Sequence, residues 1–101
     1  HDQTRRQRQM CIRDRLDYDK IQFPITYRNY SEGDSFSPLG MRNQKKVSSY
    51  ISDIKLNYID KIHQLVLEDN KNNIVWLVGQ QISDKYKVDN YTKKILNLEI
   101  I

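Results

Sequence analysis

Arg42, Lys45 and Lys46 crowd into the six positions after Gly40, and a second group, Lys85, Lys87, Lys93 and Lys94, follows near the end of the chain. With Lys55, the stretch 42–55 carries four cations against one carboxylate, and 84–94 carries four against two. The chemistry open to such groups is the capture of anions, above all phosphates. Each phosphate neutralised releases condensed counterions, so a few contacts give salt-dependent binding to nucleic acid. An ordinary solvated surface also carries lysines, and on the residues alone both readings stand. The stretch 16–34 is net −2, so the formal charge of +4 conceals a dipolar distribution.

No catalytic set accompanies the cations. The three glycines are spread over positions 33, 40 and 79, which gives no Gly-rich phosphate loop, and no histidine pairs with a nucleophile. His63 has neither cysteine nor a carboxylate pair at ligand spacing, so it reads as a surface or packing residue and no metal is expected. Asp17 with Asp19, and Asp84 with Asp89, read as surface charges.

The first cationic group must be placed by the stretch 33–47, which holds Gly33, Pro38 and Gly40 and reads as a shaped loop. Past it, Val47, Tyr50, Ile51 and Ile54 recur at the spacing of one helical face, predicting a helix over 44–55 capped by Asn43. The cations would then seat a phosphate beside the free N–H groups of the helix start. Before the loop, Ile21, Phe23, Ile25 and Tyr27 alternate with polar residues, as in a strand. Pro24 confines that strand to an edge or a bulge, and Arg28 points away from the core, as a solvated cation or an RNA contact. A short helical piece over 57–63 would turn Ile59 and Ile62 inward. Residues 65–67 and 74–78 form an antiparallel hairpin across the polar turn 68–73. The second run is apolar throughout, the mark of a strand covered on both faces, with Trp76 a core anchor or a base-stacking platform. Residues 82–88 form a short extended piece with Tyr86 and Val88 on one side, and the last run sets Leu96, Leu98 and Ile100 on one face.

Residues 1–15 hold five Arg against two Asp and differ in composition from the Lys-, Asn- and Ile-rich remainder. They contain no apolar run for a signal peptide or membrane anchor. The segment 10–15, Met-Cys-Ile-Arg-Asp-Arg, resembles the translation of a transposon-end adaptor. Residues 1–15 are therefore expected to be a non-native, disordered leader, against the alternatives of a basic RNA-binding arm or a native linker. The one cysteine, Cys11, falls within them, leaving a domain over 16–101 that cannot form a disulfide and suits a reducing cytoplasm.

Gly33-Asp34, Phe36, Pro38-Leu39-Gly40-Met41, Lys45-Lys46-Val47-Ser48, Ile74-Val75-Trp76, Val78-Gly79, Ile82 and Tyr86-Lys87-Val88 together resemble the C-terminal domain of bacterial tRNA(Ile)-lysidine synthetase, over 16–101. Ser35 and Gln81 stand where that family often has arginine. The resemblance implies an α+β fold: an antiparallel or mixed sheet of four or more strands in a β-rich sandwich, one main helix and a short second helix, similar to a domain of the phenylalanyl-tRNA synthetase β-subunit. It implies an accessory tRNA-binding role near the acceptor stem, carried by Arg42, Lys45, Lys46, Lys55, Lys85, Lys87, Lys93 and Lys94. Upstream domains of the same cytoplasmic enzyme would be the other partner, with no membrane involved. In the family, an N-terminal domain with a Ser-Gly-Gly-x-Asp-Ser motif uses ATP, with magnesium, to activate a cytidine for attack by lysine. That motif is absent from this sequence, so the fragment is expected to lack catalysis and a cofactor of its own. The alternative is a structural domain that docks on the catalytic part and touches no RNA.

Overall fold

Ile74, Val75, Trp76 and Leu77 leave no polar side to a strand, so both faces of the sheet containing them need a cover. The computed structural model describes residues 13–100. There, β2 (Thr26–Asn29), β5 (Leu65–Glu68), β6 (Ile74–Leu77) and β7 (Gln81–Ile82) form an antiparallel sheet in the order β2-β5-β6-β7. One face is covered by a ribbon of β1 (Arg13–Asp17) and β8 (Ile95–Glu99), paired from Arg13↔Glu99 to Asp17↔Ile95. The other is covered by a short ribbon of β3 (Ser35–Phe36) and β4 (Lys45–Lys46), followed by helix α1 (Val47–Asp53). A second short helix, α2 (Tyr58–Ile62), leads into β5.

The core is accordingly double. Leu16, Ile21, Val75, Trp76, Ile82 and Tyr86 pack on the first face, with Leu96, Leu98 and Ile100 half-buried against them. Phe36, Val47, Ile51, Val66, Ile74 and Leu77 pack on the second. The central hairpin, the covered strand, the inward face of Val47 and Ile51, and the 96/98/100 periodicity are as the sequence predicts. A β-bulge opposite Leu67/Glu68 adds a residue to β6, so that the consecutive Val75 and Trp76 both face the first layer while Ile74 and Leu77 face the second.

Several expectations need correction. Arg13, Asp14 and Arg15, assigned to the leader, lie in β1, because backbone pairing with β8 asks little of side-chain hydrophobicity; residues 1–12, including Cys11, lie outside the described residues. The alternation over 21–27 is not a strand. Pro24 has no N–H for a ladder, and pairing begins after it, at Thr26; β2 is an edge strand, as Pro24 implied, but Phe23 and Tyr27 are exposed. The main helix is shorter than 44–55. Lys45 and Lys46 are drawn into the ladder with β3, Lys46 rather than Asn43 occupies the cap position in extended conformation, and Lys55 at φ 62 ends the helix. Helix α2 forms, capped by the Asn57 side chain, which accepts from the Asp60 N–H, but Ile59 and Ile62 face outward at 59% and 47% exposure. Residues 84–86 form a 3₁₀ turn, although Tyr86 still points inward.

Trp76 is a core residue, 4% exposed, and its indole N–H meets no acceptor among the described residues. Trp76→Ala is expected to cost about 3–5 kcal/mol in denaturant melts. Trp76→Phe should cost clearly less, because it keeps most of the buried ring and removes an unpaired donor. Equal losses for the two variants would show that the ring volume is not what holds this face together.

Candidate nucleic-acid interface

The cationic loop is held in place from both ends. At its start, Arg28 reaches from β2 to the Asp34 carboxylate with two bonds of 2.9 Å, and to Glu68 at 3.1 and 3.4 Å. This charge-assisted fork raises the guanidinium pKa further and holds the Asp34 carboxyl below its ordinary value, with the Ser31 N–H assisting at 2.7 Å. Glu68 is almost fully buried, so Arg28 also neutralises a carboxylate withdrawn from water. Arg28 is thus an internal clamp, and neither of the roles read from the sequence, solvated cation or RNA contact, describes it.

Farther along, Pro38 makes an isolated bridge to Ser83, and the Asp84 N–H donates to the Ser37 carbonyl at 2.7 Å. Gly40, at φ 90 where a side chain would strain the backbone, donates its N–H to the Asp84 carboxylate at 3.0 Å. That bond, with Lys87 at 3.2 Å, holds the Asp84 carboxyl below its ordinary value. The first cationic segment is therefore laced to the beginning of the second.

Between them lies a cavity of about 220 Å³, lined by Ser35, Ser37, Gln44, Asn72, Asn73 and Lys85 among others. Directly paired residues on a ladder share a face, so Lys46, opposite Ser35, lies on the same face of its ribbon as Ser35. Tyr86 closes the inner wall. Its hydroxyl donates to Asp69 at 3.0 Å, and burial, reinforced by that carboxylate, pushes its pKa up to about 12. Asp69 in turn accepts the N–H groups of Lys71 and Asn73, fixing the turn that carries Asn72.

The structure sorts the eight cations read from the sequence. Lys45 is bonded to Asp53, Lys87 is paired with Asp84, and Lys94 lies 5.0 Å from the centre of the Tyr18 ring. Arg42, Lys46, Lys55, Lys85 and Lys93 are exposed and form no ion pair with a described residue. Lys85 lines the cavity, and Lys46 is the ladder partner of Ser35, which also lines it. Lys93 and Lys94 instead adjoin β8, beyond the Thr92 hydroxyl that donates to buried Asp17 at 2.8 Å. Asp17 is thus a buried acceptor, and Asp89 is held by Lys20 at 2.9 Å, so neither is the free surface charge the sequence implied. The helix start differs from the one expected: α1 spans seven residues, Lys45 and Lys46 precede it in a strand with Lys46 at the cap position, and the Val47 N–H donates to the Asp34 carbonyl at 2.9 Å. Gln44 and Asn72 also line the cavity, and nothing in the sequence marks them, since uncharged amides carry no signal in composition. No group of three or more His, Cys, Asp or Glu suited to a metal occurs among the described residues, and no helix there is long and apolar enough to cross a membrane.

No family model matches the chain. It is 43% identical over 81 residues to the tRNA(Ile)-lysidine synthase of Parabacteroides distasonis, covering 80% of this chain and 18% of that protein. It is 41% identical over 84 residues to the corresponding synthase of Caldanaerobacter subterraneus, covering 83% and 18%. Its fold matches the crystal structure of the TILS C-terminal domain with a TM-score of 0.72 at 17% identity, over 91% of this chain and 73% of that one. The chain belongs to the tRNA(Ile)-lysidine synthase family, as its C-terminal domain. It spans about 18% of the length of the curated synthases it matches. The same fold occurs in an N-terminal fragment of the phenylalanyl-tRNA synthetase β-subunit from Pyrococcus horikoshii, with a TM-score of 0.74, 24% identity, and coverage of 91% of this chain and 28% of that one. Ser35 donates to Gln44 at 2.8 Å, and the Gln81 side-chain oxygen accepts the Ile82 N–H at 3.1 Å.

Arg28→Ala should destabilise the synthase domain by about 1–3 kcal/mol at neutral pH, less than the loss of a fully buried pair because Arg28 leaves 36% of its side chain exposed. The depressed Asp34 pKa fixes the pH dependence. Its contribution is present above the unfolded carboxyl value of about 3.9 and is lost as pH falls through the lower folded value. The gap between wild type and variant should therefore shrink on acidification below about pH 4, as read from denaturant melts across pH.

Proposed function

We propose that this domain is an accessory tRNA-binding module of a tRNA(Ile)-lysidine synthetase, the cytoplasmic ATP-dependent ligase that joins lysine to the wobble cytidine of tRNA(Ile). In this reading the domain supplies affinity and no chemistry, while ATP and magnesium serve the catalytic part of the enzyme. The observation that carries it is the lacing of Pro38 and Gly40 to Ser83 and Asp84, beside a polar cavity lined by Lys85 and by Ser35, the ladder partner of Lys46; neither lysine is in an ion pair with a described residue. The target is the acceptor-stem region, held by phosphate and shape recognition, since an A-form helix presents backbone and 2′-hydroxyls more readily than base edges. Arg42 and Lys55 extend the contact around the loop. Lys93 and Lys94 form a separate and weaker contribution, Lys94 being drawn toward Tyr18.

A second reading has its own observation. Helix α2 exposes Tyr58, Ile59 and Ile62, an apolar face that suits docking on the rest of the synthetase. The two roles use different elements and can coexist.

Lys46→Glu combined with Lys85→Glu should weaken tRNA binding with a stability change below about 0.5 kcal/mol, both being exposed and outside any ion pair with a described residue. The slope of log affinity against log salt should become shallower by about 0.7–0.9 for each phosphate that the variant no longer neutralises. Titration of wild type and variant with tRNA at several salt concentrations decides it. No wild-type affinity at low salt, or an unchanged slope, would leave docking as the domain's role.

A further inference from the structure

The cavity beside the cationic loop is not itself strongly basic. Asp34 lines it, but both of its carboxylate oxygens are engaged by Arg28. Asp69 lies behind, occupied by the Tyr86 hydroxyl and by backbone N–H groups. What remains to face a ligand is neutral and polar. The Ser35 hydroxyl donates to the Gln44 carbonyl oxygen and keeps lone pairs to accept with, while the Gln44 amide nitrogen and the Asn72 side chain make no hydrogen bond with a described residue. Lys85 lines the cavity, and Lys46 shares the face of Ser35. The cavity thus presents neutral donors and acceptors with one cation in its wall and a second on the strand paired to Ser35.

A nucleic-acid strand offers the matching groups, since every sugar lies between two phosphates. Two cations beside a neutral notch suit consecutive phosphates, with the sugar between them at the notch. An all-cationic surface would bind ribose and deoxyribose backbones alike, whereas a 2′-hydroxyl needs both a donor and an acceptor, which Gln44, Asn72 and Ser35 supply. We propose that this cavity is a ribose-reading notch: Lys46 and Lys85 hold neighbouring phosphates, and the Gln44 and Asn72 amides with the Ser35 hydroxyl bond the intervening 2′-hydroxyl, so that the domain separates RNA from DNA. The proposal rests on the tRNA-binding reading and specifies how that contact discriminates.

The test measures the affinity of the full chain for tRNA and for an all-deoxy strand of the same sequence, at one fixed salt concentration. Gln44→Ala with Asn72→Gly removes both amides; glycine keeps the left-handed backbone that Asn72 adopts at φ 65. Wild type should prefer the RNA, and the double variant should lose about tenfold of that preference while still binding both strands. Lys85→Ala should weaken both strands alike and leave the ratio unchanged. If melts show the double variant destabilised, Gln44→Ala alone, on an exposed loop, makes the same measurement. A double variant that binds with its preference intact, or a wild type that binds both strands equally, overturns the notch and leaves tRNA binding standing. A wild type that binds neither strand overturns both.

Discussion

The need to cover Ile74–Leu77 on two sides governs this domain. A strand with no polar face cannot lie at a surface, so the chain must send segments across both sides of β6, and in a domain of this size those segments are also its loops. The layer of Phe36, Val47 and Ile51 exists to meet Val66, Ile74 and Leu77, and the stretch 37–44 is the connection that ribbon requires. The candidate interface is thus a by-product of core construction. Its position follows from where Phe36 must be buried, and its rigidity follows from the strands on either side.

Polar clamps complete what burial begins. Burial alone would leave the edge strand β2 and the loop free to slide, since β3 and β4 contribute only two residues each. Arg28 fixes their relation by engaging Asp34 and Glu68 together, and Gly40 with Asp84 does the same at the far end of the loop. Withdrawing carboxylates from water is unfavourable unless their lone pairs are met, and here each has two or more donors. These groups therefore define geometry more than they add stability.

Burial patterns were legible in the sequence, because hydrophobic periodicity reports directly which side of an element is covered. The hairpin, the doubly covered strand and the inward faces of α1 and β8 follow from it. The short elements were not legible. Lys45 and Lys46 sit next to a helical pattern and have good helix propensity, yet two ladder pairs with β3 outweigh that preference, and nothing local records the partner. Arg28 and Asp17 looked like surface charges because sequence does not show that Asp34, Glu68 and Thr92 converge on them. Ile59 and Ile62 mislead in the opposite sense. Their spacing is that of a buried face, but this five-residue helix leaves both largely uncovered by the described residues.

The same distinction decides which cations are free to meet the phosphates of the proposed tRNA contact. A lysine already bonded to a carboxylate releases little when a phosphate arrives, because the phosphate must displace a partner as well as condensed ions. Lys45 and Lys87 are in that position, and Lys20 and Arg28 are held more firmly still. The net charge of the domain is therefore a poor guide to how many of its cations a phosphate could reach. What matters is that Lys46 and Lys85 are left without carboxylate partners among the described residues, and that Lys85 and the ladder partner of Lys46, Ser35, line a site whose own carboxylate is satisfied from within. Such a site can be electrostatically attractive at its edges and neutral at its centre, the condition under which a sugar hydroxyl can be distinguished from its absence.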